Sequence, residues 1–225
     1  MGKEYRRDID VKSSVLDFER VLLFDSFEEA TIWVPGGTVA LEAFSRSATE
    51  NQAHGLHVGK VYCTDVGGAA AGLISQASRT FPYLGSKKVS ASCFFSFSVD
   101  TDVTRVGMRI EILDGVYSNQ FGLCYNTSTN RMQYLNSIGA WADSIITTKI
   151  LSGAGIHFLK FSVNFITSRY TFIQCGPLVN PVITNNFYSP ASANPIENEV
   201  TLFVESAGSG VNPIGLFDAV LIMAD

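Results

Sequence analysis

SNQFGLCYNTSTNRMQYLNSIGAWADS (residues 118–144), followed by IHFLKFSVNF (156–165) and RYTFIQC (169–175), decides the fold. Phe121, Leu123 and Tyr125 fall on odd positions, as do Leu159, Phe161, Val163 and Phe165, with Lys160, Ser162 and Asn164 between the latter. Side chains alternate across a strand, so this period of two predicts sheet with one buried and one wet face. The breaks carry Asn126, Asn130, Asn136 and Gly139, residues that accept left-handed backbone and close turns. A helix would need apolar residues three and four apart over three turns, and the block does not sustain that spacing.

Outward from this block the same pattern recurs. Arg20–Asp25, 39–45, 55–62 and a run opened by Gly67-Gly68 read as strands, with a short turn or single helical turn over Ser26–Trp33 and a chain break at Pro35-Gly36-Gly37. Along 89–99, Val89, Ala91, Cys93, Phe95 and Phe97 are expected inward and Ser90, Ser92, Ser96 and Ser98 outward. Arg105–Leu113 alternates again and ends in the turn signal Asp114-Gly115. Gly176–Asn198 carries four prolines in a long irregular segment, and long loops in a compact domain are often functional. Glu199–Glu205 and Ile214–Met223 complete some twelve strands without a long helix, so an antiparallel sandwich is expected.

The bulk composition narrows the function. The chain has 225 residues, of which 46% are hydrophobic and 16% charged, against about 25% charged in a typical domain. Such a chain must hide apolar surface between sheets or in a subunit interface. The net charge is −5 with no basic stripe, which argues against nucleic acid as a partner. No apolar run approaches the ~18–20 residues of a membrane span. MGKEYRRDID lacks the apolar core of a secretory signal, and Cys63, Cys93, Cys124 and Cys175 are spaced unlike a metal cluster or disulfide scaffold, so reduced thiols are expected.

Ten charged residues fall in the first 20, out of 37 in the whole chain. Residues 1–19 therefore read as an arm outside a core of residues 20–225. It is either a solvated tail or an arm lying on a neighbouring subunit through Arg6, Arg7, Val11, Val15 and Phe18.

Several stretches together resemble the concanavalin A-like, laminin-G-like jelly-roll family: FDSFEEATIW (24–33), GLHV (55–58), YNTSTNRMQYLNSIGAWAD (125–143), HFLKFSVNF (157–165), TSRYTFI (167–173) and FDAVLIM (217–223). The resemblance implies an all-β, antiparallel two-sheet jelly roll with one concave sheet, among whose members are lectins, carbohydrate-binding modules, glycosidases and structural domains of viruses and phages. Retaining glycosidases of this fold carry Glu-x-Asp-x-Glu on one strand, which puts the carboxylates on one face. No such run is present; Glu111 and Asp114 would face opposite ways, and Glu197 and Glu199 border a loop. Enzymatic activity is accordingly not expected. The resemblance also implies a structural calcium tying the first strand to the last, for which Asp25, Glu28 and Asp218 are the oxygen donors available.

Two functions follow. One is a structural or assembly protein of a virus or phage particle, such as a coat, decoration or tail component, self-associating or binding other particle proteins. It would be located in the virion, or in the cytoplasm before assembly. The other is a carbohydrate-binding module, with Trp33, Tyr83, Trp141, Phe187 and Tyr188 as rings on which a glycan would stack.

Overall fold

The computed structural model describes residues 20–28, 32–38, 42–48, 57–63, 71–82, 85–98, 100–153, 155–180, 185–191, 198–208 and 212–225. The expected arm, Arg6, Arg7, Val11, Val15 and Phe18 included, lies outside them, as does Tyr83.

The described residues are all β. The strands are β1 Arg20–Asp25, β2 Val34–Gly37, β3 Glu42–Ser47, β4 Val58–Cys63, β5 Ile74–Thr80, β6 Lys88–Phe97, β7 Val103–Leu113 and β8 Ser118–Asn126, then β9 Arg131–Leu135, β10 Trp141–Thr147, β11 His157–Asn164, β12 Arg169–Cys175, β13 Leu178–Asn180, β14 Glu199–Ser206 and β15 Ile214–Ala224. They form two antiparallel sheets. One has the order β13-β12-β11-β6-β15-β4-β3, with β1 also paired to β15; the other runs β10-β9-β8-β7-β14-β5-β2. This is the concanavalin A-like jelly-roll sandwich.

The core is the interface between the sheets. Phe95, Phe161 and Phe217 from the larger sheet meet Ile110, Phe121 and Val204 from the smaller, each at most 1% exposed. Phe121 packs edge-on against Phe161, ring centroids 6.1 Å apart. Aromatic contacts of this geometry add to the area they bury. All four cysteines are buried and outside any disulfide. Burial, and then the charge of Asp218, push the Cys93 thiol far up, and burial raises Cys175 to about 11.

Three local expectations are corrected. Pro35-Gly36-Gly37 is not a break but most of β2. Proline is tolerated there because β2 is an edge strand paired to β5 alone. Ser26–Trp33, of which residues 29–31 lie outside the described residues, opens on a turn at Phe27, φ 60°, its N–H held 2.7 Å from the Asp25 carboxylate. The strand opened by Gly67-Gly68 starts at Ile74, after a turn at Ala71-Gly72. The serine face of β6 is not wet: Ser90, Ser92 and Ser96 are 1%, 7% and 3% exposed, and Lys160 and Ser162 on β11 are 7% and 2%. Ser90 stands between Ser162 and Met223, and Ser92 between Lys160 and Leu221, so larger neighbours cover the small hydroxyls.

Candidate functional site

The outer face of the seven-stranded sheet gathers the polar chemistry. On β7, Val106, Met108, Ile110 and Ile112 point into the core and are fully buried, which turns Arg105, Gly107, Arg109 and Glu111 outward. Register then sets their neighbours. Glu111, Arg109, Gly107 and Arg105 lie opposite Glu199, Thr201, Phe203 and Glu205 of β14. On the other side Arg109 pairs with Gly122 and Glu111 with Gln120 of β8.

This face is concave. Trp141 on β10 and Phe203 on β14 are four strands apart, about 19 Å in a flat sheet. Their ring centroids are nevertheless 5.4 Å apart. The rings reach each other because the sheet curls towards them and the positions beneath have no side chain. A Cβ at Gly122 would stand 3.1 Å from Trp141 and 2.6 Å from the Met108 carbonyl oxygen; one at Gly107 would stand 2.4 Å from the Leu123 carbonyl oxygen. A tyrosine from the opposite sheet holds this floor from below. The Tyr170 hydroxyl shares its one proton between the Gly122 and Leu135 carbonyls, at 3.1 and 3.0 Å, and accepts the Gly122 N–H at 2.9 Å. It stands where β8 and β9 part, and burial drives its pKa far up despite those bonds, so it stays a neutral hydroxyl.

The aromatic pair divides the face in two. On one side runs a closed polar chain. Arg105 Nη1 donates to both Glu205 oxygens at 2.7 Å and its Nε to Gln133 at 2.8 Å; Gln133 donates to Asp143 at 2.7 Å, which Arg131 meets at 3.5 Å. Cys124 lies beneath it, its thiol raised well above the usual range by burial, which the nearby Arg105 charge partly opposes.

The other side is open. Glu111 and Glu199 oppose each other across β7 and β14. Directly opposite residues of an antiparallel pair stand roughly 4.5–5.5 Å apart at Cβ, where like charges repel. Ser118 donates to Glu111, and Thr201 to Glu199 at 2.9 Å. Arg109 stands one row away, half-buried, with no hydrogen bond or ion pair among the described residues. The segment 185–191 closes this end, because Tyr188 exchanges backbone hydrogen bonds with Gln120 at 2.8 and 3.1 Å. Pairing with Gln120 puts the Tyr188 side chain on the same face, against the turn at Gly139. Two opposed carboxylates, a guanidinium and two half-buried rings can grip a polar molecule that also has an apolar side, and the carboxylates are groups able to move protons.

Of the five rings expected to stack on a glycan, Trp141 and Tyr188 are on this face. Trp33 and Phe187 are not: they are 5% and 3% exposed in the core. Trp33 donates its indole N–H to Asp25 at 2.8 Å, and Phe187 packs on Phe121 at 5.7 Å. The carboxylates expected to share a calcium are not brought together. Asp25 accepts from Trp33, Phe27 and Arg79, and Glu28 from His57 at 2.9 Å. Asp218, 2% exposed, accepts the Ala219 N–H at 2.7 Å. Among the described residues no three His, Cys, Asp or Glu side chains form a metal-holding group. Sequence reading passed over Arg109, Thr201 and Phe203 and weighed Glu111 and Glu199 only with near neighbours in the chain, since what joins the five is the register of strands some 90 positions apart.

No family model and no curated protein matches the chain. Solved structures do. A carbohydrate esterase from the Shiga toxin-encoding bacteriophage phi24B superposes with TM-score 0.56 at 14% identity, covering 91% of this chain and 97% of its own. An endo-β-1,4-glucuronan lyase from the fungus Trichoderma reesei gives TM-score 0.54 at 9% identity, covering 92% and 96%. A Bauhinia forficata lectin in complex with GalNAc gives TM-score 0.51 at 11% identity, covering 92% and 98%. At these identities the likeness is one of fold. It corrects the expectation that the chain is not an enzyme: enzymes are prominent among its structural neighbours, and the missing Glu-x-Asp-x-Glu run tests a single placement of carboxylates. The expectation of a coat, decoration or tail component finds no support in them. Of the three, the one from a phage is an esterase.

Proposed function

We propose that the concave face of the seven-stranded sheet binds a carbohydrate chain. The observation that carries this reading is the half-buried Trp141 ring laid over Gly122 in a curved face, with Glu111, Glu199, Thr201, Gln120 and Tyr188 around its open side. A sugar ring has an apolar C–H side and a rim of hydroxyls. An aromatic ring takes the first, and carboxylates and amides accept from or donate to the second. A lectin and two carbohydrate-active enzymes with the same fold lend support.

The test is a glycan array probed with the full chain, followed by calorimetry on any hit. Trp141→Ala is expected to weaken binding at least tenfold and Tyr188→Ala several-fold, with the β-sheet circular dichroism retained. An array with no hit would remove the reading.

The opposition of Glu111 and Glu199 favours a second reading, in which the bound chain is also cleaved. One carboxyl would give its proton to the glycosidic oxygen as that bond breaks, while the other carboxylate attacks the anomeric carbon and the resulting glycosyl-enzyme is hydrolysed by water, the course closely spaced carboxyls take. Release of new reducing ends that disappears in Glu111→Gln and Glu199→Gln, with binding kept, is the result this reading expects.

A further inference from the structure

We propose that the cleft takes an anionic glycan and that Arg109 holds the carboxylate of a uronic acid unit. This rests on the carbohydrate reading above and names its substrate class.

Among the described residues the other guanidiniums have acceptors. Arg105 binds Glu205 and Gln133, Arg131 meets Asp143, Arg79 is paired with Asp25, and Arg20, Arg46 and Arg169 donate to carbonyl or amide oxygens. Arg109 shares a strand and a face with Arg105 and is half-buried, yet it takes no carboxylate among the described residues although Glu111 and Glu199 are one row away. A guanidinium that no protein carboxylate has taken is available to a ligand, and its planar fork of N–H groups matches a carboxylate in two parallel hydrogen bonds.

The surroundings fix which way round such a ligand lies. Arg109 is flanked by Gly122 and Thr201, and Trp141 covers Gly122, so a sugar ring on the indole has its edge beside the guanidinium. Glu111 and Glu199 repel a carboxylate and accept hydroxyl protons instead. The uronate group is thereby directed to Arg109 and the hydroxyl edge to the glutamates. The closed chain beyond Phe203 offers no such vacancy, because each of its charges is met.

The experiment is calorimetric titration of the full chain with oligomers of glucuronate, galacturonate and mannuronate, each beside its carboxyl-reduced neutral counterpart. At least one oligouronate is expected to bind tenfold or more tightly than its reduced form. Arg109→Gln, which breaks no described contact, should abolish that difference while leaving the melting temperature unchanged. Arg109→Lys should restore part of it, since it keeps the charge without the fork. Equal affinity for the acidic and reduced forms would overturn the uronate assignment and leave the carbohydrate cleft standing. Binding of neither form, together with an empty glycan array, would overturn both.

Discussion

Asp25 shows how a single side chain ties the start of the sandwich together. Its carboxylate, 9% exposed, accepts from the Phe27 N–H, the Trp33 indole and the Arg79 guanidinium, so one residue fixes the turn after β1, the entry to β2 and the end of β5. Asp25→Ala removes the acceptor of three donors, the half-buried Arg79 guanidinium among them, and is expected to cost about 3 kcal/mol, read as a fall in denaturant midpoint. Because the carboxylate is already occupied, melts in chelator and in millimolar calcium are expected to coincide; a calcium-dependent rise in melting temperature would contradict this. Asp114 is a second case. Burial raises its pKa, but the Tyr117 and Val116 N–H groups and the Asn119 amide outweigh this and hold it below the usual carboxylate range. A lowered folded-state pKa gives stability that is present above the unfolded value and lost as pH falls through the folded one. The difference in melting temperature between the wild type and Asp114→Asn should therefore shrink on acidification from neutral pH. A constant gap would mean that Asp114 acts by shape alone.

Among elements, β8 is the one on which the cleft depends. Its floor exists because Gly122 leaves space for Trp141 and because Tyr170 reaches through the core to the gap between β8 and β9. Tyr170→Phe strands three buried backbone groups and is expected to destabilise by about 2 kcal/mol. It should also weaken glycan binding, measured on the folded fraction, as the floor shifts. Gly122→Ala places a methyl against the Met108 carbonyl and the indole, so it should disturb Trp141 fluorescence more than a substitution at Gly208, whose Cβ would meet open space. How much of this was legible in sequence follows from what each signal measures. Alternation reports which side of a strand a residue takes, and Val106 to Ile112 and Phe121 to Tyr125 are buried as that pattern requires. It reports nothing about the neighbouring strand. Glu111 meets Glu199 only through the β7–β14 register, and a search for carboxylates along one strand had no access to that pairing. The same blindness explains the serines of β6, which alternate like a wet face but lie among larger cross-strand neighbours.

At the scale of the molecule, every described strand lies within residues 20–225, and the proposed arm precedes them. A chain beginning at Arg20 is expected to keep the β-sheet circular dichroism and the glycan affinity of the full chain; loss of either would place residues 1–19 within the working domain. The placement of β15 has a different consequence. It lies in the middle of the larger sheet, with β6 along one side and β4 and then β1 along the other, although it is the last strand of the fifteen in chain order. Until it is present, β1 and β6 have no partner between them and the Phe217 position in the core is empty. The domain is thus unable to mature strand by strand on the ribosome. The larger sheet waits for residue 224 before β1 and β6 are joined, and a chain stopped before Ile214 is expected to give no soluble folded product on expression.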